Sequence, residues 1–105
     1  MTYLEGTVWD VDSSAQSPMV PLKVCVEGDY WCAQLRTGQD PNKGAGYYTA
    51  VLGADGPRAG SWWVAVVDEQ GRALSERVRF QTDTRDCDPT GNGRQWVIID
   101  FVRNF

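Results

Sequence analysis

Hydrophobic positions in this chain recur with a period of two. In "PLKVCVE" Leu22, Val24 and Val26 fall on one parity, and Lys23, Cys25 and Glu27 on the other. "GYYTAVL" sets Tyr47, Thr49 and Val51 against Tyr48, Ala50 and Leu52, and "ERVRFQ" sets Val78 and Phe80 against Arg77, Arg79 and Gln81. Side chains of a β-strand alternate between its two faces, so each stretch reads as a strand with one apolar face. "TYLEGTVWDV" and "YWCAQLRT" read the same way, and "RQWVIIDFVRNF" reads as one long final strand. "SWWVAVVD" is apolar on both parities, which predicts an interior strand bonded on both sides, with at least one of Trp62 and Trp63 buried. "GD" at 28–29 and "EQGR" at 69–72 are turn formers, and three loops follow from composition, at 12–18, 38–46 and 82–93. Turn signals recur about every 8–12 residues, and no window carries a capped amphipathic helix. The pattern predicts an antiparallel β-sandwich of about seven strands.

Length and charge narrow the picture. One hundred and five residues, 42% hydrophobic with five Trp, suit a single domain over residues 1–105. No apolar run approaches the roughly 20 residues that cross a bilayer as a helix. "MTYLEGTVWD" has neither the basic nor the apolar region of a signal peptide and enters a strand pattern at once, which predicts a domain excised from a larger protein. A net charge of −4 opposes binding to nucleic acid or to an anionic membrane. The basic residues do not cluster, since acids interrupt Arg72, Arg77, Arg79, Arg85 and Arg94.

The chain has no His. Ser–His–Asp and Cys–His machinery therefore cannot be built within it, and zinc sites lose a principal ligand. No phosphate-cradling Gly-rich loop is present. The expectation is a protein without catalysis and without a cofactor. One metal motif needs weighing: Asp86, Asp88, Thr90 and Gly91 stand at the spacing of the first, third, fifth and sixth positions of an EF-hand loop. Its last ligand should be a bidentate Glu, and Val97 stands there, so a polar turn-rich loop is the competing reading.

Trp62 and Trp63 are consecutive and must face opposite sides of a strand. Trp9, Trp31, Tyr47 and Trp96 sit on other strands, and several aromatics projecting from one outer face, with Trp63, Trp9 and Tyr47 as the main candidates, could form a flat platform that stacks on sugar rings. Packing is the larger expectation, because aromatic side chains dominate core energetics.

Cys25, Cys32 and Cys87 suggest one disulfide and one remaining thiol, and hence an oxidising compartment. If Gly28 and Asp29 are a two-residue turn, Cys25 falls opposite Cys32 at a hydrogen-bonded pair, the wider of the two antiparallel spacings. That counting places a bond from Cys87 to Cys25 or Cys32 ahead, as an anchor for the 82–93 loop.

Gly6, Val8 and Asp10, then Pro21, Val24 and Val26, then Thr37, Gly46 and Tyr48 make up a pattern that resembles the carboxypeptidase-regulatory-like, or transthyretin-like, domains. "SWWVAVVDEQGRALSERVRF" resembles the later hairpin of related bacterial envelope modules. The chain departs from the pattern at "SSAQS", which stretches the first turn, and at "GQDPNKGAG". The resemblance implies an Ig-like or prealbumin-like sandwich, extracellular or in the cell envelope and appended to a larger protein. It implies a structural or protein-interaction role beside neighbouring domains of the same polypeptide. The alternative is a carbohydrate-binding module whose partner is a polysaccharide.

Overall fold

The structure is a computed structural model that describes residues 2–11, 15–53, 59–82 and 96–103. These residues form eight strands: β1 (Thr2–Trp9), β2 (Pro21–Val26), β3 (Cys32–Arg36), β4 (Tyr47–Gly53), β5 (Gly60–Val66), β6 (Val78–Thr82), β7 (Trp96–Ile98) and β8 (Phe101–Val102). They make two sheets packed as a sandwich. One runs β4-β1-β7, with β8 also on β1, and the other runs β3-β2-β5-β6.

Alternation builds both layers. In β1 the residues Thr2, Leu4, Gly6 and Val8 are buried and those between them are partly exposed. In β4 the inward set is Tyr48, Ala50 and Leu52. From the other sheet come Leu22, Val24 and Val26 of β2 and Trp62, Val64 and Val66 of β5. Trp62 is central: its indole Nε1 donates to Thr82 Oγ1 at 2.9 Å, Trp31 meets it edge-on and Phe80 stacks on it. The polar end of the ring thus has a partner while the rest fills the core.

β5 lies between β2 and β6, so "SWWVAVVD" is the interior strand that its two-sided apolar content predicts. Both of its tryptophans are buried. The C-terminal segment differs from expectation. It is two short strands, both parallel to β1, so the first sheet is mixed. Ile99 and Asp100 interrupt it. The Ile99 N–H donates to the Glu5 carbonyl, and Asp100 Oδ1 accepts the Thr7 N–H at 2.8 Å, a side chain replacing one rung of the ladder.

Gly6 is needed where the two chain ends meet. A Cβ there would overlap the Ile99 carbonyl and press on the Tyr48 ring. Tyr48 in turn donates its hydroxyl to that same carbonyl.

The disulfide joins Cys25 to Cys32, with Cα atoms 4.1 Å apart. This overturns the preference for Cys87, which itself lies outside the described residues. The reason is the turn. The Asp29 N–H bonds the Val26 carbonyl at 2.9 Å, and the Val26 N–H bonds the Trp31 carbonyl at 3.0 Å. The loop therefore holds four residues, Glu27 to Tyr30, rather than two, and Val26–Trp31 becomes the bonded pair. Cys25–Cys32 moves to the neighbouring non-bonded pair, the narrow spacing that a disulfide can bridge. Gly28 and Asp29 supply the left-handed backbone with φ of 90° and 58°, which Gly adopts freely and Asp more readily than most residues.

Candidate functional sites on the sandwich surface

The outer face of β3-β2-β5-β6 covers its own aromatic. Trp63 is only 5% exposed, although it points away from the main core. It packs beside Cys25 and Ala65, its indole Nε1 donates to Asp29 Oδ1 at 2.7 Å, and the Arg77 guanidinium stands 4.2 Å above the ring. A cation over an indole face is attracted by the ring quadrupole. The disulfide, an Asp and an Arg thus close a second, smaller cluster, and Trp63 has no free face to offer a ligand. Lys23 is partly buried on this same outer face, opposite Gln34 and Ala65 and outside the main core.

The outer face of β4-β1-β7 is open. Trp9 and Tyr47 lie here, so the structure brings two of the three platform candidates onto one face and places Trp63 on the opposite side of the molecule. Tyr47 sits opposite Thr7, two residues from Trp9 along β1. It donates its hydroxyl to Glu5 Oε2 at 2.8 Å, and Lys43 Nζ stands 5.5 Å from its ring centre. Burial raises the Tyr47 phenol above its ordinary value, and the hydrogen bond to Glu5 raises it further. Tyr48 is pushed higher still, mainly by burial.

Of the exposed apolar groups of this face, Trp96 was among the aromatics weighed for a platform, and Val51 and Ile98 were not. Register places Val51 opposite Tyr3 on one side and Trp96 opposite Tyr3 on the other. The Tyr3 and Trp96 rings stack at 5.9 Å with planes 25° apart. Trp96 is 57% exposed, Ile98 58% and Val51 51%. The row runs across three strands, with Ile98 beside it on β7. Parity in "TYLEG" and "WVII" marks these residues as facing one side each. It does not say that the two ends of the chain lie side by side.

A cleft of about 610 Å³ opens where the edge strands β3 and β4 face each other across the sandwich. Leu22, Leu35 and Tyr48 line its apolar part, and Arg36, Asp40, Asp68 and Glu69 stand at its rim. Arg36 holds Glu69 by two hydrogen bonds, at 3.1 and 3.0 Å. That contact lowers the Glu69 carboxyl and raises the Arg36 guanidinium. Among the described residues no group of three or more His, Cys, Asp or Glu could hold a metal ion. Asp86, Asp88 and Thr90, the calcium candidates, lie outside them. No described helix is long and apolar enough to cross a membrane.

No protein-family model, curated protein or solved structure matches this chain.

Proposed function

We propose that this chain is a non-catalytic accessory β-sandwich module, structural or protein-interacting, within an exported protein. The observation that supports it most is the row Val51–Tyr3–Trp96 with Ile98 beside it, in which Tyr3 is partly exposed and Val51, Trp96 and Ile98 are exposed by half or more. Contiguous apolar surface of this kind marks contact sites. The Cys25–Cys32 bond agrees with an oxidising compartment, as an exported protein meets. The partner under this reading is a neighbouring domain of the same polypeptide, as the likeness to transthyretin-like modules also implies.

Hydroxyl-radical footprinting tests it. The oxidation rates of Trp96 and Tyr3 in the isolated domain are compared with those in the complete polypeptide. Severalfold protection in the complete polypeptide is expected, and equal rates overturn the reading.

The stacked Tyr3–Trp96 pair favours one second reading, a carbohydrate-binding face centred on these two rings rather than on Trp63. Affinity electrophoresis through a panel of polysaccharides separates the two. Retardation lost in Trp96→Ala and kept in Trp63→Phe favours the sugar.

A further inference from the structure

We propose that the free edge of β4 accepts an extended peptide as an added strand, with the peptide's alternate side chains entering the cleft between β3 and β4. This rests on the interaction reading above and names a second kind of contact for it.

The backbone carries the inference. The Val8 N–H bonds the Gly46 carbonyl at 2.9 Å. In an antiparallel pair each residue turns its N–H and C=O to the same side, and that side alternates along the strand. Gly6–Tyr48 and Leu4–Ala50 are therefore the bonded pairs of β1 and β4. Tyr47, Thr49 and Val51 turn their backbone groups the other way. The Tyr47 carbonyl shows this directly, since it accepts the Gly38 N–H at 2.9 Å from outside the sheet. Beyond that contact Thr49 and Val51 present donors and acceptors to a side with which no described strand pairs.

Such an edge is normally guarded by charge, proline or brevity. β3 carries Arg36 with its Glu69 partner, β6 carries Arg79 bonded to Glu27, and β7 has only three residues. β4 has seven residues, "YYTAVLG", without a charge or a proline. Apart from a register shift at its far end, where Tyr3 pairs Val51 and Thr2 pairs Gly53, it is the least guarded edge of the sandwich among the described residues, and the cleft lies beside it. A strand added there would direct every second side chain toward Leu35 and Tyr48. A volume of about 610 Å³ falls within the ordinary range of ligand clefts.

Charge selects the occupant. Arg36 and Glu69 neutralise each other. Asp40 and Asp68 remain at the rim, and Lys43, from the same loop as Asp40, stands over the Tyr47 ring rather than in the cleft lining. A peptide with apolar residues at alternate positions and Lys or Arg at its ends complements this arrangement. A second copy does not, because each chain carries a net charge of −4. Strand addition draws affinity from main-chain bonds and specificity from alternate side chains.

The experiment is a titration of the 15N-labelled domain with the blocked peptide Lys-Val-Thr-Val-Thr-Val-Lys. Perturbed shifts and slowed exchange at the Thr49 and Val51 amides are expected. The same peptide with Glu at both ends should bind more weakly. A version N-methylated throughout should lose about tenfold or more, as two or more main-chain bonds are removed. Val51→Pro should abolish binding while leaving the β1–β4 ladder intact, because the N–H it removes points away from β1. The N-methylated peptide probes the same point without touching the fold. Equal binding of the methylated peptide, or no change at Thr49 and Val51, overturns the proposal. So does self-association in sedimentation velocity with those amides already protected, which assigns the edge to a second copy. None of these results bears on protection of Trp96 in the complete polypeptide, so the interaction reading stands or falls separately.

Discussion

Trp62 shows what one side chain contributes here. It is fully buried between Trp31 and Phe80, and its single polar atom is bonded to Thr82. Trp62→Ala removes the contacts and leaves a cavity, so urea denaturation should show a loss of about 3–5 kcal/mol. Thr82→Val keeps the volume and orphans the indole N–H, which should cost about 1–3 kcal/mol. The ratio of the two is informative: a Thr82→Val loss as large as that of Trp62→Ala would mean that the hydrogen bond, not the packing, holds the ring. Trp63 belongs to a different balance. Its burial comes from Asp29, Arg77 and the disulfide rather than from the opposing sheet. Sequence parity separates the two indoles but cannot see that a positive-φ Asp in the adjacent turn would reach back to the second one.

At the scale of elements, the β2–β3 hairpin is the firmest unit to test. Its disulfide closes a short loop, for which the chain-entropy model gives about 2–3 kcal/mol of stabilisation. Replacing both cysteines by Ala should lower the stability by about that amount in a two-state urea titration, and an unchanged midpoint would show that the hairpin needs no staple. The Arg36–Glu69 pair ties β3 to the turn after β5. Glu69 has its folded pKa lowered, so the pair's contribution is present above the ordinary carboxylate value of 4.5 and fades as pH falls through the lowered one. The melting difference between wild type and Glu69→Gln should therefore be small at neutral pH and absent in strong acid; a difference that grows in acid would contradict the assignment. Most elements could be read from alternation: the inward sets of β1, β2 and β4 and the interior place of β5 follow from period two. The hairpin register, with Cys25 opposite Cys32, could be read as well, but not which of its pairs are hydrogen-bonded, because "GD" fits a two-residue or a four-residue loop equally well and the choice moves every pair by one class. The split of the last strand at Asp100 was hidden as well. An Asp between Ile99 and Phe101 reads as a strand residue until its carboxylate is seen on the Thr7 amide.

For the whole molecule the decisive feature is that the last strands lie parallel to the first. β1 is central in its sheet, with β4 on one side and β7 and β8 on the other. Nothing in the local pattern of either end announces this, because parallel register is a long-range property. The aromatic row escaped the sequence for the same reason, since Tyr3 and Trp96 become neighbours only through that pairing. The cleft escaped it too, as the product of two edge strands from different sheets. The closure also makes the fold depend on its C-terminus. Removing residues 96–103 would strip β1 of one neighbour, free the Thr7 amide and the Glu5 carbonyl, and withdraw Phe101, Val97 and Ile99 from the core. The Tyr48 hydroxyl would lose its acceptor. Burying that hydroxyl unbonded costs about 1–3 kcal/mol, and the lost apolar contacts of Phe101, Val97 and Ile99 add to it, against a total stability of about 5–15 kcal/mol. A chain ending at residue 95 should therefore lack the cooperative urea transition and the near-ultraviolet circular dichroism of Trp62, while the chain to residue 103 keeps both. A truncated chain with an unchanged midpoint and slope would show that the parallel strands are ornament on a sandwich that stands without them.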